Sequence, residues 1–458
     1  MSLPPEIESG NKEYKLKIIN KSTNRLEKLA SQLKWRLGEG NGFAEYYIGV
    51  ADNGDILGIN YNDYLVSLKN LNKVANIINA KIIKKEKKII NENKCYYIIN
   101  ITNDLLDFIS IRILFIGPSN SGKSTIIGNL SKKINDDGNG KSRKYVFNHK
   151  HEIYSGETSS ISLNNLILEH KKKKKISINL IDTPGNTKYV KTMITAINKY
   201  LPNSIFLVLD PLEIDIYKLK FYLEILKYYN YPFQIILSKK DKYDSLHKKY
   251  LIKNVLDLCH EIKKFNIIEL NNLNNFGYTK LLNTIKKSIY NINLINRNNI
   301  DIQICDVLNI PNFSKIYTGL TFKRININDN KVLVSSDKKY KINFKSIYFL
   351  DKPIDSIDKG HLITFTLNNE INIDNKSDLV IVNSNIDEYE KIYIKSLKEI
   401  SNGQGICIYN NQYKVIKIKN KDNNEYELST LDKTKFLNLS NKIIIKINEL
   451  IYFTNLIV

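Results

Sequence analysis

Apolar residues follow a helical rhythm in some stretches of this chain and a strand rhythm in others, and the way the two alternate changes near residues 109 and 300. Between Tyr14 and about Thr102 both occur in short pieces. Leu26, Leu29, Leu33 and Trp35 fall near one face of a helix that Gly38 and Gly40 would stop. Ala44–Val50 and Ile56–Ile59 flank Asn53–Gly54, a pair tolerant of positive φ, which predicts a hairpin. A second helix over about Tyr61–Asn79 precedes β-rich stretches at Lys81–Ile90 and Tyr96–Ile101. Residues 1–108 are thus expected to form a small α+β domain.

From Ile109 to about Ile292, apolar runs of strand length alternate with helical segments. The runs are Ile111–Ile116, Ile176–Ile181, Ser204–Leu209, Phe233–Leu237 and Asn266–Leu270. Unbroken apolar strands are what a parallel sheet covered by helices requires, so residues 109–296 are expected to be an α/β domain. From Asp301 onward, short alternating strands are separated by Asn, Asp and Gly turns. That pattern predicts two β-barrels over residues 297–374 and 375–458, with a break near 373–378. The expected fold class is therefore multidomain: α+β, then α/β, then two barrels.

Length and composition narrow the function classes. The chain's 458 residues allow about three domains, and 42% hydrophobic with 25% charged residues excludes wholesale disorder. Lys+Arg 69 against Asp+Glu 47 leaves a net charge of +22, which favours a polyanionic partner. Because Lys, Asn and Ile crowd the whole chain, that charge is not concentrated on one face. Cys95, Cys259, Cys305 and Cys407 form no CxxC pair, which excludes a zinc knuckle or a disulfide framework and suits a reducing compartment. The polar N-terminus has no apolar leader core, and no apolar run reaches the ~20 residues of a membrane span. A cytoplasmic protein without membrane attachment is expected.

The chemistry sits at the ends of the apolar runs. After Ile111–Ile116 comes Gly117-Pro118-Ser119-Asn120-Ser121-Gly122-Lys123-Ser124-Thr125, a GxxxxGK[ST] phosphate loop followed by a helix. The glycines let backbone N–H groups face phosphates, Lys123 offers charge to the outer ones, and the Ser124 hydroxyl can ligate Mg²⁺. After Ile176–Ile181 stands Asp182-Thr183-Pro184-Gly185, where Asp182 can hold the Mg²⁺ shell and the Gly185 N–H can sense the γ-phosphate. After Phe233–Leu237 stands Ser238-Lys239-Lys240-Asp241. The Asp241 carboxylate can accept from both N1–H and the amino group of guanine, which adenine cannot present, and Lys239 would lie along the base.

In that order, these motifs resemble translational GTPases of the elongation-factor-Tu type. "LPPEIESGNKEYKLKIIN", "QLKWRLGEG" with "YYIGVADNG", "HKHEIYSGETSSIS", "DTPGNTKYVKTMI" and "FKSIYFLDKPIDSIDKGHLITFTL" resemble the GTP-binding-protein-1/2 branch more specifically, from Leu3 to about Leu367. The resemblance implies GTP/GDP and Mg²⁺ as ligands, with Thr158 as the switch-I threonine that reaches Mg²⁺ and the γ-phosphate. It puts the last guanine motif near Asn271-Asn272-Leu273, where the family prefers Ser. It implies a slow GTP hydrolase that acts as a conformational switch in translation, in elongation or in ribosome and mRNA surveillance. A ribosome or RNA complex would be the partner, with aminoacyl-tRNA an open question. The alternative is a guanine-nucleotide-dependent binding module with little hydrolysis.

Several departures bear on mechanism. Translational GTPases usually place His after DxPG to position the attacking water, and Asn186 stands there, shorter than the Gln of Ras-type enzymes and without a titrating proton. Asn120 occupies the loop position where potassium-activated GTPases carry Asn, so it either helps hold K⁺ or shapes the loop by a hydrogen bond. His149 and His151 either approach the nucleotide when switch I orders or pack within the loop. Lys171–Lys175 is either an rRNA-attracting patch or a solvated hairpin tip. The family's closing hairpin is not found before Val458, so the last barrel is expected to be shortened: either it is incomplete, with strand edges left open, or its strands are rearranged.

Overall fold

The computed structural model describes residues 2–456, apart from 20–22, 41–42, 79, 92–93, 104–107, 170–174, 214, 259–264, 292–298, 311–313, 336–337, 370, 372–378, 383–387, 390, 397–398, 410–411, 422–423, 432–435, 438–441 and 448–449. Cys259, Lys171–Lys174 and the expected break at 373–378 lie outside the described residues. Contacts divide the chain into two compact units. One holds residues 1–108, 324–327 and 346–358; the other holds 109–323, 328–345 and 359–458.

In the first unit β1 (Lys12–Lys15), β2 (Phe43–Ile48), β3 (Ala80–Asn91) and β4 (Lys94–Asn103) form a sheet in the order β1-β2-β4-β3. Helices α1 (Thr23–Glu39) and α2 (Tyr61–Ile77) bury Leu33, Leu37, Leu71 and Val74 against Tyr46, Ile48, Ile99 and Ile101 of the strands. Two expectations are corrected here. Helix α1 stops at Glu39, directly before Gly40 as expected, but runs through Gly38, and Trp35 lies on its solvent side, because the adjacent Arg36 turns inward to a carboxylate cluster. Asn53–Gly54 does form a turn, but it carries only an isolated bridge, Val50 to Ile56, while β2 pairs with β1 and β4.

The second unit opens with β5 (Phe108–Ile116), whose last eight residues belong to it, then α3 (Lys123–Lys132), α4 (Lys150–Ser155), β6 (Ser162–Glu169) and β7 (Lys175–Asp182). It continues with α5 (Val190–Tyr200), β8 (Ser204–Leu209), α6 (Ile216–Tyr229), β9 (Phe233–Leu237), α7 (Ser245–Leu258), β10 (Ile267–Glu269) and α8 (Tyr278–Lys287). The sheet order is β10-β9-β8-β5-β7-β6. Strand residues alternate between two apolar layers. Leu114, Ile116, Leu207 and Ile235 meet α5, α6 and α7, whereas Ile113, Phe115, Phe206 and Ile236 meet α3 and α8. The sheet is mixed rather than parallel throughout, because β6 runs antiparallel to β7. That edge strand is only half buried, so polar Asn164 and Asn165 interrupt the apolar run that would have marked it.

Both following sheets close. The first links Asn330–Val334, Val380–Val382, Ile302–Leu308, Ile316–Thr321, Leu362–Leu367 and Lys339–Phe349, and closes where Asn330–Val334 pairs with residues 339–343. The second links Lys391–Lys395, Glu425–Thr430, Gln412–Asn420, Gly403–Tyr409, Lys442–Ile447 and Leu450–Leu456 into a closed barrel. The expected open edge is absent among the described residues, since Leu450–Leu456 pairs with Lys442–Ile447 on one side and with Lys391–Lys395 on the other. Among the described residues no helix is long and apolar enough to cross a membrane.

Candidate nucleotide site

The phosphate loop leaves β5 at Gly117, whose φ is 141° and where a Cβ would lie 2.1 Å from the Val208 carbonyl oxygen of β8. Gly185 is equally confined: a Cβ there would lie 2.4 Å from the Ser119 amide nitrogen, so the DTPG turn rests directly on the loop. Asn120 takes a left-handed φ of 61°, which Asn tolerates better than most residues, and its side chain makes no hydrogen bond to a described residue. At the start of α3, buried Lys123 donates to the carbonyls of Gly117 at 2.9 Å and Pro118 at 2.7 Å. Burial pushes its ammonium down to about 8, against the opposing pull of Asp182.

Three oxygen-bearing side chains from separate segments converge beside it. Ser124 Oγ donates to Asp182 Oδ2 at 2.6 Å, Thr158 Oγ1 donates to the same oxygen at 3.2 Å, and the two hydroxyls lie 2.9 Å apart. Asp182 Oδ1 accepts from the Thr183 N–H at 3.0 Å. Burial raises the Asp182 carboxyl, with Lys123 and these hydrogen bonds opposing. Two hydroxyls and one carboxylate at the end of a phosphate loop are a hard-oxygen set of the kind Mg²⁺ takes together with substrate phosphates. Among the described residues there is no competing cluster of His, Cys, Asp or Glu.

Thr158 is held there by a residue that motif reading did not single out. Glu152, fully buried on α4, accepts through Oε1 from the backbone N–H and the hydroxyl of both Ser159 and Ser160, at 2.7–3.1 Å. Its Oε2 accepts from the N–H groups of Asn148 and His149. Burial alone would raise this carboxyl, but the donors, led by Ser159, overcome it and hold it down at about 2. His151 Nε2 lies 2.8 Å from Ser159 Oγ and the His149 ring stacks on His151, so both histidines sit against the switch-I loop. The signal available in the sequence was the spacing of His149 and Glu152, a capping box with an unusual first residue.

The guanine motifs close the other end of an open cleft of about 360 Å³, lined by Asn120, Lys123, Thr158, Lys239, Asp241 and Asn271 among others. Buried Ser238 and the Asn272 amide lie 3.6 and 3.5 Å from where a Cβ on Gly122 would be, so these strand-end segments meet at the loop. Lys239, at φ 55°, pairs with buried Asp210 at 2.6 Å, which lays its stem along the cleft, while the Asp241 carboxylate is exposed to it. Asn271 and Asn272 are committed locally: Asn271 Oδ1 accepts from Leu273 N–H and Asn272 Oδ1 from the Tyr278 hydroxyl.

Asn186 is not brought into the cleft lining. Its Oδ1 accepts from Lys188 N–H at 3.1 Å and caps the turn Thr187–Tyr189 that leads into α5. The cleft contains instead a cation absent from every motif, Arg143.

Residues 109–291 match the elongation factor Tu GTP binding domain. GTP-binding protein 2 of Mus musculus is 34% identical over 261 residues, 52% of this chain and 43% of that protein, and the Homo sapiens protein matches to the same extent. GTP-binding protein 1 of Xenopus laevis is 27% identical over 249 residues, 50% of this chain and 38% of its own. The chain thus spans less than half the length of these curated relatives. In fold it is similar to the bacterial selenocysteine-specific elongation factor EF-Sec, with a TM-score of 0.63, 17% identity and coverage of 76% of this chain and 58% of that one. It is also similar to translation elongation factor SelB from Methanococcus maripaludis in complex with the GTP analogue GppNHp, with a TM-score of 0.60, 14% identity and coverage of 76% and 79%. Residues 109–291 thus carry a GTP binding domain of the elongation-factor-Tu type, and the chain is similar to GTP-binding proteins 1 and 2 over about half of its length.

Proposed function

We propose that this protein binds GTP with Mg²⁺, hydrolyses it slowly, and uses the two nucleotide states to switch its contacts with a ribosome or RNA complex. The observation that carries the reading is the convergence of Lys123, Ser124, Thr158 and Asp182 at one end of a cleft whose other end is Asp241. Loop N–H groups and Lys123 bind the phosphates, and the Asp241 carboxylate selects guanine. Ser124 and Thr158 would hold Mg²⁺ with Asp182 in its outer shell. The bound ion supplies positive charge to phosphate oxygens, the main requirement of a loose phosphoryl-transfer transition state. Asn186, its oxygen spent on a cap, keeps only its amide N–H groups for orienting water, which supports slow turnover. The unpaired Asn120 side chain supports a contribution from K⁺.

A route for switching is built into α5, which begins just after Asn186. Its last carbonyls are held across the domain: Gln303 Nε2 donates to Asn198 and Lys199 at 2.8 and 3.0 Å, and Arg112 Nε to Tyr200 at 2.7 Å. A shift of the DTPG turn on loss of the γ-phosphate would therefore pull on the first barrel. The second reading, a nucleotide-dependent binding module that scarcely hydrolyses, is favoured by the same capping bond of Asn186.

Titration with GTP, XTP and ATP in Mg²⁺, followed by phosphate release with and without ribosomes, tests both. We expect GTP to bind at least about 100-fold more tightly than ATP, because adenine offers the Asp241 carboxylate no pair of donors and leaves it unpaired under the base, and Asp241→Asn to move preference toward XTP. Equal ATP and GTP affinity would overturn the guanine assignment. Tight GTP binding with no release, even with ribosomes, would select the binding module, and equal rates in K⁺ and Na⁺ would remove the K⁺ role.

A further inference from the structure

Arg143 lies outside every motif, yet its guanidinium occupies a slot in the cleft. The segment that carries it is tightly built. Ser142, fully buried, donates through both N–H and hydroxyl to Asp136 Oδ1 at 3.0 Å, and Asp137 Oδ1 accepts from Asn139 and Lys141 N–H at 2.9 and 3.1 Å. The Ser142 carbonyl packs so closely on Gly128 of α3 that a Cβ there would lie 2.2 Å away. Arg143 therefore projects from a fixed base.

Two glycines flank the guanidinium, and a side chain on either would displace it from this position. A Cβ on Gly140 would lie 2.3 Å from Arg143 Nε, and one on Gly156 would lie 2.9 Å from Nη2 and 3.1 Å from Cζ. Both glycines also adopt left-handed φ, 82° and 70°. Gly156 ends α4 and stands two residues before Thr158, whose hydroxyl meets Asp182. The slot thus sets a planar cation beside switch I, on the cleft that Lys123 and Thr158 also line.

The guanidinium makes no hydrogen bond and no ion pair with any described residue. Two other inward-turned arginines among the described residues spend their donors on the protein itself: Arg112 donates to three backbone carbonyls, and Arg36 to carboxylates and carbonyls. A half-buried guanidinium with its donors unspent, facing a cleft suited to a triphosphate, calls for an anion with several acceptor oxygens.

We propose that Arg143 acts in cis as an arginine finger, donating to the phosphate oxygens of GTP and stabilising the charge that gathers on them during hydrolysis; this rests on the GTP reading above. In the step it assists, a water oxygen bonds to the γ-phosphorus as the bond from that phosphorus to the β–γ bridging oxygen breaks. The electron pair leaves on GDP, and the water's proton passes to inorganic phosphate. Arg143 supplies charge where His is missing after DTPG and where Asn186 is committed to a cap.

The test compares wild type with Arg143→Ala and Arg143→Lys in the full chain, in Mg²⁺. It measures GDP affinity, single-turnover GTP hydrolysis at saturation, and binding of GDP with aluminium fluoride, a mimic of the transferring phosphoryl group. We expect both variants to keep GDP affinity within about threefold, to hydrolyse about 10³-fold more slowly, and to lose the aluminium fluoride complex. An unchanged rate overturns the proposal, as does a parallel loss of GDP and GTP affinity with an unchanged rate at saturation, which would make Arg143 a ground-state anchor. Full activity in Arg143→Lys would overturn the need for the guanidinium fork. If wild type binds ATP and GTP alike, or neither, the nucleotide reading itself has failed. Tight, selective GTP binding with wild-type behaviour in both variants rejects Arg143 alone.

Discussion

In the N-terminal unit Arg36 is surrounded by acceptors. Its Nε donates to Glu13 at 2.6 Å, Nη2 pairs with Glu6, and Nη1 reaches the carbonyls of Ile7, Glu8 and Gly10 at 2.9–3.1 Å. Gln32 and Lys15 complete Glu13, which is fully buried. In the nucleotide cleft the same type of side chain rises between two glycines from a braced loop, and its donors meet no described acceptor. The first arrangement spends its hydrogen-bonding capacity on the protein's own chain and ties the N-terminal strand to α1. The second withholds that capacity. Saturation marks a structural ion cluster, and fixed but unspent polarity marks a place prepared for a ligand.

The comparison is broken most severely at its saturated end. Arg36→Ala takes the guanidinium from two carboxylates, leaving fully buried Glu13 only Lys15 and Gln32, and should destabilise the N-terminal unit by about 3–5 kcal/mol. The single Trp, Trp35, sits next to it on α1, so urea unfolding followed by its fluorescence reports this unit directly. GTP affinity should stay within about twofold of wild type. An unshifted urea midpoint would show the cluster to be energetically idle.

A smaller effect should come from Lys123, whose ammonium burial holds down at about 8 against the pull of Asp182. The sign follows from which form binds. Below about 8 the lysine is already charged, and affinity should be flat. Above it the free protein carries neutral Lys123, binding must draw a proton from solvent, and affinity should fall by up to about tenfold per pH unit. Calorimetry at pH 8.5 in buffers of different ionisation enthalpy would detect that uptake. Absence of uptake would mean that Lys123 is charged in the empty cleft and that its carbonyl contacts compensate its burial.

How much of this was readable from residues alone differs between the two ends. Strand-end motifs are contiguous, so Lys123, Asp182 and Asp241 could be picked out from spacing after apolar runs; Lys123 and Asp241 line one cleft, and Asp182 is bonded to Ser124 and Thr158 of its lining. Glu152 and Arg143 were not legible, because their roles arise only when distant segments meet: Glu152 with Ser159 and Ser160, Arg143 with Gly140 and Gly156. Trp35 was misplaced because a helical face was judged by apolarity, while buried charge on Arg36 outweighed it. Whether the last barrel closes is not decided by the sequence, because closure depends on one strand pairing with two neighbours, a matter of register that composition does not carry.

Asn186 offers the finest test of the distinction between spent and unspent groups. By sequence position it should orient the attacking water, but its Oδ1 is occupied by Lys188 N–H and only its amide N–H groups remain. If capping is its main duty, Asn186→Ala should cost roughly 1 kcal/mol in the Thr187–Tyr189 turn and slow single-turnover hydrolysis by only about threefold. Asn186→Asp and Asn186→Ser, which cap equally well, should then match wild type in rate. A loss of 100-fold in all three variants, with unchanged GDP affinity, would mean that the cap opens when GTP binds and frees the oxygen for water. In that case Arg143 and Asn186 would act together on the bound nucleotide.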